Sequence, residues 1–248
     1  MCFSTDARPP DHGIGGAIGN SDDLVLVASD GNHFAARLAR PAQPAGTGVA
    51  ILPDVRGLHN FYRDLACRFA EAGLDALAID YFGRTDSTGH RGDDFDHMSH
   101  HAQTKPETVD LDVAAALRHL RGLGDTRLFT IGFCFGGANS WRQSAAQPGL
   151  SGAIGFYGVP SRVADLVPAM TAPLLLLVAG ADRTPQAEFA DFERRLTDAD
   201  VPHRMVVYDG APHSFFDRSH QQWQDAGTDA WKQILAFIKD PAPLAATA

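Results

Sequence analysis

The 248-residue chain has three cysteines, Cys2, Cys67 and Cys134, too few and too scattered for a disulfide framework or a cysteine-rich zinc site. Scarce cysteine fits a reducing compartment, and the expectation is a cytoplasmic protein. A basic excess is also missing: 21 Lys and Arg face 30 Asp and Glu, for a formal charge of -9. The acids are spread along the chain, which argues for solubility and against a nucleic-acid partner. Long apolar runs are absent as well. Leu174 to Ala179 falls far short of the roughly 20 residues that span a bilayer, and the first 20 residues hold no stretch that reads as a signal peptide. No membrane role is expected.

What is present is an ordinary apolar share of 44% and a charged share of 21%, enough for a large core without metal or disulfide support. Leu24 to Ser29 and His33 to Leu38 are β-prone runs separated by Asp30-Gly31-Asn32, a hairpin signature. From Val49 onward, apolar runs with strand character (Val49 to Leu52, Leu74 to Ile79, Arg127 to Ile131, Ala153 to Phe156, Leu174 to Val178, Met205 to Tyr208) alternate with helical stripes. The stripes are Leu58 to Ala72, Val109 to Leu120, a small-residue segment after Gly136, Glu188 to Leu196 and Trp231 to Ile238. This order predicts an α/β fold: a mostly parallel central sheet with helices on both faces, entered through an N-terminal antiparallel hairpin. The expected layout is an N-terminal extension over 1–23, a single α/β domain over 24–240 and a flexible tail over 241–248. The polar segment Tyr81 to Lys105, rich in Gly, Asp and His, is expected to be a surface loop or lid.

Gly132-Phe133-Cys134-Phe135-Gly136 follows a predicted strand and precedes a predicted helix, the setting in which a glycine-flanked nucleophile is informative. A sharp turn there lifts the thiol above the sheet. The helix N-terminus favours thiolate and aims the Phe135 amide at a developing oxyanion. Taken alone, Cys134 also reads as a small buried hydrophobe in a tight turn. Asp182, beyond the strand ending at Val178, and His213, beyond the strand ending at Tyr208, complete the order nucleophile, acid, histidine. Asp182 alone would serve equally as a turn or cap aspartate, but all three fall where strands of such a sheet end, where these folds place their sites.

These segments, with Ala179-Gly180-Ala181-Asp182, Pro212-His213-Ser214-Phe215 and Leu52-Pro53-Asp54-Val55-Arg56-Gly57, resemble the dienelactone hydrolase family over about Asp30 to Ile238. The resemblance implies the α/β-hydrolase fold and a Cys134, Asp182, His213 triad that opens a cyclic enol ester, with no cofactor. It implies further that the Val55 amide is a second oxyanion donor and that Asp54 stands where a family glutamate engages the resting thiol. Arg84 matches a family arginine that helps bind a substrate carboxylate, with the alternative that it is an exposed loop arginine. Tyr81 either lines the acyl pocket or anchors the loop. The second family arginine is absent, because Asp217 occupies its position, with Arg218 next to it.

His97, His100 and His101, near Asp93, Asp94 and Asp96, match no metal-ligand spacing and read as a solvated loop. The expected partner is a small ester or lactone, with or without a carboxylate, acted on by a monomer or small homo-oligomer. Two competing readings are acyl transfer or dehalogenase-like chemistry on the same scaffold, and a non-catalytic binding or redox-sensing protein with a reactive Cys134.

Overall fold

The computed structural model describes residues 3–4, 6–11 and 15–241; Cys2 and the expected tail from 242 onward lie outside the described residues. Eight strands form one sheet in the order β1-β2-β4-β3-β5-β6-β7-β8. They are β1 (Ile18–Val27), β2 (His33–Pro41), β3 (Thr47–Leu52), β4 (Asp75–Ile79), β5 (Arg127–Phe133), β6 (Gly152–Phe156), β7 (Leu174–Ala179) and β8 (His203–Tyr208). β1 and β2 are antiparallel, as are β2 and β4; every later pairing is parallel. The helices are α1 (Asn60–Glu71), α2 (His97–His101), α3 (Pro106–Gly122), α4 (Phe135–Ala146), α5 (Gln186–Asp198) and α6 (Gln224–Lys239).

The inner strands are mostly apolar because helices cover both faces. β3, β4, β6 and β7 are buried at every position. One core layer unites Phe61, Tyr62, Leu65 and Phe69 of α1 with Trp231 and Ile234 of α6; the other gathers Val113 and Leu117 of α3, Trp141 of α4 and Phe192 of α5. The sheet thus holds apart two faces and presents the carboxyl ends of its parallel strands along one rim.

β1 starts at Ile18, six residues before the apolar run that announced it. Its first half pairs polar residues such as Asp22 and Asp23 with Leu38 and Arg37, and an edge strand needs only the ladder, not an apolar face. Two of the described residues ahead of it are packed onto the domain. Phe3 stacks on Phe61 with ring centroids 3.8 Å apart, and the Arg8 amide donates to Asp217 at 3.0 Å.

The 81–105 segment contains a 3-10 turn at Phe82–Arg84 and the short α2. It is tied down by Arg91, whose Nη2 donates to Asp80 at 2.8 Å while its guanidinium lies 4.4 Å from the Phe95 ring centroid. Among the described residues, no helix is long and apolar enough to cross a membrane.

Candidate active site

β5 ends at Phe133 and α4 begins at Phe135, leaving Cys134 alone in the turn with φ 57° and ψ -112°. A non-glycine residue rarely adopts a positive φ, and such strain clusters at functional sites. The flanking glycines follow from close approach. A Cβ on Gly132 would stand 1.8 Å from the Gly136 carbonyl oxygen, and one on Gly136 would stand 2.1 Å from the Leu52 carbonyl oxygen. The Cys134 amide is held by the Phe156 carbonyl at 2.9 Å, so the turn is fixed to the neighbouring strand end.

Asp182 follows β7 and His213 follows β8, and their side chains meet: His213 Nδ1 lies 2.8 Å from Asp182 Oδ2 and 3.1 Å from Oδ1. His213 is hydrogen-bonded in turn to the Cys134 side chain. Burial works against charge on the imidazole, but the bonds to Asp182 and Cys134 outweigh it and push the His213 pKa up to about 9. Asp182 is likewise opposed by burial, and His213 holds its pKa below the usual carboxylate value. The three residues chosen from chain order therefore converge in space, in a relay that joins carboxylate, imidazole and thiol.

A cavity of about 310 Å³ opens over them, lined also by Val55, Phe135, His101, Tyr157, Arg162 and Arg183. Phe135 is the first residue of α4, so its amide has no intrahelical acceptor. The loop that carries Val55 is held from two sides. The Tyr81 hydroxyl donates to the Pro53 carbonyl at 2.8 Å, and the Asp54 amide donates to the Tyr62 hydroxyl at 2.9 Å.

Tyr81 is thus a buried prop, its ring edge-on to Phe135 at 5.2 Å, and does not line the cavity. Asp54 is also buried. Its Oδ1 accepts from the Arg56 amide at 2.8 Å and lies 3.7 Å from His59 Nε2, an ion-pair distance rather than a hydrogen bond. Its Oδ2 has no hydrogen-bond partner among the described residues. Burial opposes its charge, yet His59 and Arg56 hold its pKa below the ordinary value.

Arg84 is not at the cavity. Its guanidinium bridges Asp30 and Asp112, with Nη2 2.7 Å from Asp112 Oδ1, so the carboxylate it binds belongs to the protein. Asp217, where the family arginine is missing, is buried and accepts from the Arg8 amide, the Ser219 amide and the Ser219 hydroxyl. Arg218 lies 3.8 Å from Asp11, beside a different cavity. The expectation that Arg84 faces substrate is therefore corrected: the hairpin loop and α3 supply acids that capture it.

Two cations that sequence reasoning passed over do line the cavity. Arg162 and Arg183 form no ion pair among the described residues, although the chain carries an excess of acid. Tyr157 was missed too. It follows β6 with φ 51°, its ring centroid lies 4.8 Å from that of His213, and its hydroxyl accepts from the Phe216 amide at 2.9 Å. Its place at the carboxyl end of a parallel strand was the available signal. The histidines of the 81–105 segment diverge. His101 sits edge-on to Phe135 at the cavity, whereas His100 bonds Thr85 and stacks on Phe95.

The dienelactone hydrolase family profile matches residues 34–241, most of the chain and all of this site. The chain belongs to the dienelactone hydrolase family. It is a hydrolase of that family with the α/β-hydrolase fold. It is 27% identical over 239 residues to the "Putative carboxymethylenebutenolidase" of Escherichia coli strain K12, covering 88% of each chain. It is 28% identical over 243 residues to the "Probable 2-oxo-3-(5-oxofuran-2-ylidene)propanoate lactonase" of a Bradyrhizobium species, covering 88% of this chain and 93% of the relative. Among solved structures, the "Putative Dienelactone Hydrolase" of Klebsiella pneumoniae superposes with a TM-score of 0.74 at 24% identity, over 88% of this chain and 99% of the other. That likeness carries the fold.

Proposed function

We propose that this family member hydrolyses a small activated ester or lactone through a thioester on Cys134. The observation that carries the reading is His213, bonded on one side to Asp182 and on the other to Cys134, at the wall of a cavity shared with Val55 and Phe135. Sγ attacks the carbonyl carbon, and the oxyanion is received by the amides of Phe135 and Val55. As the tetrahedral intermediate collapses, the carbon–oxygen bond breaks and the leaving oxygen takes a proton from His213. Water, deprotonated by His213, then attacks the thioester and frees the acid and the thiol. Asp182 holds the imidazole in one tautomer and stabilises its charged form. Tyr81 and Tyr62 act as positioning residues that fix the Val55 amide.

The lactonase names of the relatives support a cyclic ester as one substrate class. Any carboxylate on the acyl part is met by Arg162 and Arg183, not by Arg84. A thiolate nucleophile suits enol and aryl esters, whose leaving groups depart easily, better than amides. The test is intact-mass spectrometry and turnover with p-nitrophenyl acetate. Wild type turns over and carries a transient acetyl group on Cys134, while Cys134→Ala loses at least about 10³-fold in kcat/KM. Equal rates in the two proteins would remove Cys134 from the mechanism, and a stable adduct without turnover would favour a thiol sensor instead.

A further inference from the structure

A second and larger cavity, about 700 Å³, also has His213 in its wall. Its walls include Phe3, Met98 and Pro212, and it meets the first cavity only at Val55 and His213. Those two residues carry, in the proposed reaction, the second oxyanion donor and the general acid. The charged side chains at the substrate site are therefore divided unequally. Arg162, Arg183 and Asp182 stand in the first cavity with Cys134, whereas the second, among the described residues, has no carboxylate and adds only His97, His220, Ser4 and Ser214 as polar side chains beside Arg56 and His213. The one arginine of the second cavity, Arg56, is already bonded to the Phe3 carbonyl at 2.7 Å and to Asp93 at 3.3 Å. Phe3 is itself fixed by stacking on Phe61, so its wall is preformed.

We infer that this second cavity is the leaving-group subsite and that it takes an apolar alcohol or phenol portion of an acyclic ester. The inference rests on the reading of Cys134 and His213 given above. A leaving oxygen must lie within reach of the general acid when the acyl–oxygen bond breaks, so the group attached to that oxygen projects past His213. In a lactone this group remains tethered to the acyl part and needs little room beyond the first cavity. A chamber of this volume and lining matches a separate apolar fragment, held by burial rather than by charge. On this assignment the enzyme sorts its substrate by side: the anionic or polar acyl part lies against Arg162 and Arg183, and the apolar fragment lies against Phe3, Met98 and Pro212. The bond chemistry is unchanged. Sγ gains the acyl group, the alcohol leaves with the proton of His213, and water releases the acid.

The experiment compares phenyl acetate with 2-naphthyl acetate, which share an acyl group and differ chiefly in leaving-group size. Wild type is expected to favour the naphthyl ester in kcat/KM by at least about tenfold, equivalent to about 1.4 kcal/mol. Met98 is 58% exposed, so Met98→Asp leaves the core intact, and it lowers the naphthyl-to-phenyl ratio to below about three. Ser4 also lines this cavity, and Ser4→Trp, which fills it from that wall, lowers the same ratio. A wild-type ratio near one, or a ratio that neither variant moves, overturns the subsite while the Cys134 dependence of the phenyl ester still stands. Phenyl acetate turnover that survives Cys134→Ala overturns the nucleophile, and the subsite with it.

Discussion

The two ends of the parallel strands both bury carboxylates, and they put them to different uses. At the carboxyl ends, Asp182 bonds His213, which bonds Cys134, and the group opens onto a cavity. At the amino ends, Asp75 begins β4 and forms a two-bond pair with Arg40, at 3.0 and 2.9 Å. Asp125, just before β5 and only 3% exposed, is left beside that pair with its Oδ2 lacking a hydrogen-bond partner among the described residues. Burial and the neighbouring Asp75 push its pKa up to about 7. A carboxylate matched to a histidine is held in its charged form, as Asp182 is by His213. One left over from a matched pair is held closer to neutrality and contributes strain.

The sharpest way to break this contrast is Asp182→Asn. It removes the carboxylate that orients His213 and lowers kcat/KM about 10²- to 10³-fold, measured on an aryl ester. It also removes a bond that raises the His213 pKa. A histidine whose folded pKa lies above its unfolded value contributes stability that is complete below the ordinary value and disappears as pH rises through about 9. The difference in Tm between wild type and Asp182→Asn is therefore widest near pH 6 and narrows toward pH 10.

Next in size is Arg91→Ala. The guanidinium is 2% exposed and shared between Asp80 and Asp86, while Asp80 also accepts the Leu58 and Phe82 amides. Loss of the cation strands a buried carboxylate and costs about 3 kcal/mol or more in urea unfolding. This tests whether the Arg91–Asp80 ion pair at the carboxyl ends matters more to stability than the Asp182–His213 pair does.

Arg162→Ala has a smaller and more selective effect. It raises KM about tenfold for a substrate carrying a carboxylate, and leaves that of its methyl ester within about twofold. Equal effects on both would leave Arg162 without a role in anion recognition.

The smallest effect belongs to the other end of the sheet. Asp125 binds a proton in the folded state that the unfolded chain releases, so its unfavourable contribution grows as pH rises from about 4 to about 7 and is complete above that. Asp125→Asn, which resembles the neutral acid, gains about 1 kcal/mol of unfolding free energy at pH 8 and nothing at pH 4. No change in kcat is expected, which separates the two ends functionally.

The strand and helix order was legible because buried parallel strands and amphipathic helices impose different apolar periods, and these survive in one dimension. The start of β1 was not, because its polar residues gain their place through hydrogen bonds to β2. The trio Cys134, Asp182 and His213 was legible as residue types just beyond the ends of β5, β7 and β8. Arg84 was misplaced for a physical reason: the acids that capture it, Asp30 and Asp112, are 54 and 28 residues away in the chain. Arg162 and Arg183 carried no local pattern, since what distinguishes them is a cavity and the lack of an ion pair among the described residues.

By itself, then, the sequence determined the alternation that builds the sheet and the glycine-flanked turn at Cys134, because local sterics admit so few side chains there. Only the tertiary structure decided which charges meet. It set Asp182 against His213, turned Arg84 away from the cavity, brought Arg162 and Arg183 to it and opened a second cavity that shares His213. Each of those outcomes depends on distances across the fold, where Coulomb attraction and burial act with no regard to separation along the chain.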